Sequence, residues 1–205
     1  MAARTYASAR ERILDVAERL LQTRGANHLS IEAVITEAQL SKGGFFHHFA
    51  TKDALLAAIL DRLMERVNGR IVELAREDPE PRGAKLRAQI ALAFDAGKTE
   101  VDAPRALLMA LIEAVGSQPA VARHACKANA EVFARDAGED IPEGRAIAIQ
   151  LALDGFWLSQ ALGTVSLTAG QQQALREALL GLACPVAPPR RRPGRPLPPK
   201  KGKQT

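Results

Sequence analysis

A chain of 205 residues is long enough to bury a substantial core in one or two domains, and it leans on Ala and Leu while Phe, Trp and Tyr make up only 4%. That balance excludes a strand-dominated fold and favours an all-α one, because strands draw on β-branched and aromatic residues. The net charge is +5. Its source is the segment after Cys184, where Arg190, Arg191, Arg192, Arg195, Lys200, Lys201 and Lys203 face no acidic residue. Residues 1–184 carry 21 basic against 23 acidic side chains, a net of −2, so basicity gives no argument that the globular part binds a polyanion. Two cysteines, Cys126 and Cys184, form neither a CxxC pair nor a disulfide framework. No apolar run reaches the length of a membrane span and MAARTYASARERI lacks a signal-peptide core, so the expectation is a soluble, cytoplasmic protein.

In chain order, the first helix is predicted over 8–24, with Ile13, Ala17, Leu20 and Leu21 at helical spacing and Arg12, Glu18 and Arg19 on the surface. Gly25 stands where a helix stops. Ser30 caps a second helix with Glu32 in its first turn and Ile31, Val34 and Ile35 as its buried face. Gln39 and Leu40 make a turn, and Ser41 caps a third helix that ends near His48. Thr51 caps a long fourth helix, apolar at Leu56, Ile59, Leu60, Leu63, Val67, Ile71 and Leu74, which stops before Pro79 and Pro81. At 1.5 Å per residue it forms a rod of roughly 40 Å, long enough to join two domains. Further helices are predicted over 84–96, 104–115, 119–136, 142–162 and 168–182, about nine in all. From Pro185 the chain is Pro-rich, basic and without apolar periodicity, which predicts disorder. The domain reading is therefore 1–50, then 51–184 with 51–77 as the connecting helix, then the tail 185–205.

Two short helices joined by a tight turn are the layout that places a second helix in the DNA major groove. The third helix concentrates the chemistry for that role. Gly43 and Gly44 cost about 1 kcal/mol each relative to Ala, which suits a backbone that approaches a partner closely. Lys42 can donate to guanine acceptors and Lys52 can meet a phosphate, while Phe45 and Phe49 point inward and seat the helix. No nucleophile motif, metal-ligand spacing or phosphate-binding Gly loop is present, so the reading is not an enzyme and no cofactor is implied. His124 and Cys126 lie two apart on a helix and share no face.

SKGGFFHHFATKDALL (41–56) resembles the end of the DNA-binding domain of the TetR family of bacterial transcriptional regulators. That family shows a Ser-Lys-Gly start, an aromatic-His-aromatic-Phe core and a Ser/Thr-Lys-Glu/Asp-Ala-Leu entry into a long helix. Ala38-Gln39-Leu40 falls where the family has Ala-Gly-Val, and LDGFWLSQALG (153–163) resembles a helix of its dimerisation region. The resemblance implies a three-helix N-terminal helix-turn-helix domain joined by the long helix to a C-terminal helical domain for dimerisation and ligand binding. It implies DNA contacts from Ser41, Lys42, Gly43, Gly44, Phe46, His47, His48 and Lys52. The partners implied are a double-stranded DNA operator, a second copy of the chain, and an unidentified small-molecule effector that releases a repressor. Four positions depart from the pattern. Phe46 replaces a Tyr whose hydroxyl bonds a phosphate, and His48 takes a position often aromatic. Glu32 takes one that is sometimes basic, and Gln39 replaces the turn glycine, which implies a left-handed or altered turn with modest strain.

Phe94, Met109, Glu113, Phe133 and Trp157 are candidate pocket residues, with Glu113 free to meet a cationic ligand or to face solvent. In the tail, RRRPGRP (190–196) resembles an AT-hook through Arg192, Gly194 and Arg195, although Pro193 replaces the usual basic residue before the glycine. An alternative reading follows: an architectural protein that covers A·T-rich DNA through this tail, without an effector.

Overall fold

A computed structural model describes residues 8–94, 105–136 and 141–185, the side chains of 105, 106, 131–136 and 161 excepted. Among these, nine α-helices and no strand are present: α1 Ala9–Arg24, α2 Ile31–Glu37, α3 Lys42–His48, α4 Lys52–Arg76, α5 Ala84–Phe94, α6 Arg105–Ser117, α7 Pro119–Asp136, α8 Glu143–Leu162 and α9 Ala169–Leu182. The fold class and helix order are as the periodicity indicates. None of the described helices is long and apolar enough to cross a membrane. The tail residues Arg192, Gly194 and Arg195 lie outside the described residues.

Hydroxyl caps start the helices of the N-terminal half. Ser8, Ser30, Ser41 and Thr51 accept from Glu11 N, Ala33 N, Gly44 N and Ala54 N, at 3.2, 3.1, 3.0 and 3.0 Å. Each satisfies a backbone donor that has no partner within its helix and contributes about 1 kcal/mol.

Two separate apolar cores follow. The first joins α1, α2, α3 and the first half of α4 to Leu107, Ala110, Leu111 and Ala114 of α6 and Val121 of α7. The second joins Leu86, Ile90 and Ala93 of α5 to Ile149 and Leu153 of α8 and Leu179 of α9. The division matters because α6 sits in the core of the N-terminal unit although it belongs in sequence to the C-terminal one.

Between α1 and α4 runs a charged seam. Arg62 reaches Asp15 at 2.6 Å and Glu11 and Glu18 at 3.6 Å, and Arg66 pairs with Glu18 at 3.2 Å. Glu18 is 8% exposed, which corrects its placement on the surface. Its carboxylate is buried because two guanidinium groups one turn apart on α4 close over it, and a buried charge persists only when so paired. At the opposite end of α4, Arg87 of α5 gathers the chain. It donates to Asp78 at 2.8 Å, to the carbonyls of Arg82 and Ala183 at 3.0 and 3.2 Å, and to that of Glu80. This guanidinium holds the Asp78 carboxyl below the usual carboxylate range. Gly83 (φ 76°) lies so close that a Cβ there would stand 2.6 Å from the Ala183 oxygen. The end of α9 is thereby fixed against the α4–α5 turn.

Candidate nucleic-acid interface

The turn between α2 and α3 takes its shape from Gln39, whose φ is 53°. Leu40 N donates to Ile35 O at 3.1 Å and Gln39 N to Thr36 O at 3.2 Å, the bond pair of a Schellman stop. Leu40 and Ile35 both pack on the first core and supply its apolar contact. The left-handed residue expected here is therefore present, held by two backbone bonds and one apolar pair at a cost of about 1 kcal/mol relative to Gly.

α3 is seated from below by Phe45 and Phe49, 0% and 4% exposed, with ring centroids 6.1 Å apart. Once those two point inward, helical geometry turns Lys42, Gly43, Phe46 and His47 outward, and all four are exposed together with the cap Ser41. Gly44 and His48 are half-buried at the edges of this surface. Phe46 stands 41% exposed with its ring edge-on to Phe45. A Cβ at Gly43 would find no atom within 4 Å, so nothing inside the chain demands a glycine there. Arg10 lies over the Phe49 ring at 5.6 Å and adds a cation beside the α3–α4 turn. No signal in the sequence separated Arg10 from the other charges of α1. Glu32 is exposed on α2, and Glu37 pairs with Arg19 and Arg24 of α1 at 3.0 and 3.3 Å, which ties α2 to α1.

Lys52, expected to meet a phosphate, is half-buried at the start of α4. Its Nζ donates to the carbonyl of Ala26 at 2.9 Å, across to the α1–α2 loop. Glu113 is half-buried, accepting from Ala26 N at 3.2 Å and from the Asn27 side-chain amide. The Ala26 N–H draws the Glu113 carboxylate to the loop, and the Ala26 carbonyl draws the Lys52 ammonium.

The remaining pocket candidates are distributed over α5, α6, α7 and α8. Phe94 stacks on Phe156 at 4.7 Å, Met109 is half-buried on α6, Trp157 is 37% exposed on α8, and Phe133 lies on α7 with its side chain outside the described ones. A cleft of about 190 Å³ between α8, the α8–α9 loop and α9 is lined by Gly155, Phe156, Ser159, Gln160, Leu167 and Leu175 among others, and includes none of the five. No group of His, Cys, Asp and Glu able to hold a metal occurs among the described residues.

Comparison with known proteins agrees with this geometry. Residues 13–59 match the family model described as bacterial regulatory proteins, tetR family, and residues 83–183 the model described as a tetracyclin repressor-like C-terminal domain. An uncharacterized helix-turn-helix-type transcriptional regulator in the dhlA 5' region of Xanthobacter autotrophicus is 36% identical over 80 residues, 39% of this chain and 38% of that protein. The repressor NemR of Escherichia coli is 31% identical over 70 residues, 34% of this chain and 35% of that one. The chain thus spans less than two fifths of the curated relatives it matches. The crystal structure of the multidrug binding protein EbrR complexed with imidazole superposes with a TM-score of 0.65 at 28% identity, covering 90% of this chain and 99% of that one.

Proposed function

The chain belongs to the TetR family of bacterial regulatory proteins, and from that premise we propose that it is a homodimeric repressor released from its operator by a small molecule. The observation that carries the reading is the single surface formed by Ser41, Lys42, Gly43, Phe46 and His47 on a helix seated by Phe45 and Phe49. Lys42 is the donor for guanine acceptors, the bare backbone at Gly43 admits close approach to DNA, and Phe46 offers an apolar ring to a thymine methyl in place of a phosphate bond. Lys52, held by Ala26, positions this unit, and the phosphate contacts fall to His47 and His48 at its rim.

Two features of the second core support the dimer. Ile147, Leu151, Leu158 and Leu162 recur at helical spacing on α8 and are exposed, 60% for Leu151. One exposed row of α9 carries only small residues at matching spacing, Gly170, Ala174, Ala178 and Gly181. Large side chains beside a row of small ones suit the close packing of helices from two copies, which sets two α3 helices about one DNA turn apart, roughly 34–36 Å. The cleft beside Phe156 has no charged residue in its lining and favours an uncharged effector.

Selection of bound fragments from the source genome followed by footprinting tests the reading. A discrete palindromic site is expected, and Lys42→Ala and His47→Ala should each weaken binding by about tenfold or more with helicity unchanged. Wild-type affinity in both variants, or broad A·T-rich coverage that vanishes with the tail, would end it.

A further inference from the structure

The peptide of Ala26 is gripped from both sides, and the two grips come from the two halves of the chain. Its N–H donates to the Glu113 carboxylate of α6 and its carbonyl accepts from Lys52, the first residue of α4. The same carbonyl accepts from Leu29 N at 3.3 Å, which fixes the entry to the Ser30 cap of α2. The side-chain amide of Asn27 closes on the second oxygen of Glu113. Gly25 (φ 78°) brings the backbone beside this carboxylate, where a Cβ would lie 3.5 Å from it and would be strained by the left-handed backbone besides. Ala26 is fully buried, and Leu107, Leu111 and Ala114 of α6 lie in the same core as Leu29 and Val34. Only a short stretch of chain separates the gripped peptide from α2, so a displacement of α6 relative to α4 must either carry the start of α2 with it or break these bonds.

We infer that Glu113 is a positioning residue for DNA binding, the latch through which the C-terminal helices set the seat of the α2–α3 unit. The inference rests on the regulator reading and adds to it a specific residue. Binding free energy is shared reciprocally between coupled sites, so a state of α6 that alters DNA affinity is itself altered by DNA. Glu113 therefore transmits in both directions, and DNA occupancy is felt in α6 without contact between them.

Hydrogen exchange of the full chain, free and bound to an operator duplex recovered by genomic selection, reads this directly. In the wild type, operator binding should slow exchange over residues 107–117 by about fivefold or more. Glu113→Ala should still bind the duplex but lose most of that bound-minus-free difference, while Glu113→Gln, which keeps a carbonyl acceptor, retains at least half of it. A merely structural Glu113 would raise exchange equally in both states and leave the difference intact. An undiminished difference in Glu113→Ala, or none in the wild type, overturns the latch. Should Glu113→Ala fail to fold, Asn27→Ala replaces it: loss of most of the difference supports the latch, and an intact difference overturns it. Failure of the wild type to bind any genomic duplex would instead overturn the regulator reading.

Discussion

The two cores of this molecule are finished to different degrees. The first, around α1 to α4 and α6, buries Ile13, Leu21, Phe45, Leu55 and Ile59 completely and even encloses a carboxylate, Glu18, with two arginines on hand to pair it. The second, around α5, α8 and α9, has a buried centre but leaves Leu151, Leu158, Leu162 and Val165 exposed along its outer side. An apolar stripe of that kind costs solubility and contributes nothing to a lone chain. The difference teaches a division of labour: the first core is closed within one chain and holds a surface steady, whereas the second leaves an apolar face that the proposed dimer would cover.

The sharpest way to break the comparison is Phe45→Ala. Removing a fully buried ring should cost about 3–5 kcal/mol in chemical denaturation. Trp157, the single Trp, reports on α8 and should shift its midpoint less than the helix signal does. Equal shifts would make the two cores one cooperative unit. Next is Leu151→Arg, which places a charge on the exposed stripe. It should raise the dimer dissociation constant about 100-fold, roughly 2.7 kcal/mol, with helicity unchanged in sedimentation and circular dichroism runs. Persistence of the dimer would remove α8 as the contact.

Asp154 sharpens the same point through pH. It interrupts the α8 stripe on the exposed side, where partial desolvation by the neighbouring protein raises its carboxyl above the ordinary value against the opposing Gln150 hydrogen bond. A folded value above the unfolded one means that this group's favourable contribution is complete below the unfolded value and is lost as pH rises through the folded one. Association through α8 adds burial and should weaken in the same direction, as pH rises above the ordinary carboxylate range. Asp154→Asn should flatten that dependence and tighten the dimer at neutral pH, and a slope identical to that of the wild type would place Asp154 outside the contact. The smallest effect is expected at the turn. Gln39→Gly relieves a left-handed residue at the exposed α2–α3 turn and should stabilise the first unit by about 0.5–1 kcal/mol in thermal unfolding. Any loss of stability would mean that the Gln39 side chain makes a contact of its own.

Much of the fold was legible because helix signals are local. Ser30, Ser41 and Thr51 announce helices that begin at the next residue, and Pro79 and Pro81 announce the end of α4. The inward turn of Phe45 and Phe49 and the left-handed Gln39 were legible for the same reason. What escaped is pairing across distance. Glu18 looks like any surface charge of an amphipathic helix until Arg66, 48 residues on, is brought beside it. Glu113 and Lys52 carry charges that suit a ligand or a phosphate, and only the folded chain shows them spent on the peptide of Ala26, 87 and 26 residues away. Periodicity records which face of a helix is apolar; it carries no record of which charge meets which.

The Arg87 clamp has a further consequence, for reach. By fixing the Ala183 carbonyl against the α4–α5 turn, it roots the basic tail at the end of α4 opposite to α3. Those 25 residues of α4 separate the two ends by roughly 37 Å. A taut chain spans at most about 3.6 Å per residue, so Arg190 travels no more than about 18 Å from Pro185, and Arg195 no more than about 36 Å. The chain that follows Cys184 therefore sets out about one α4 length from the α3 surface.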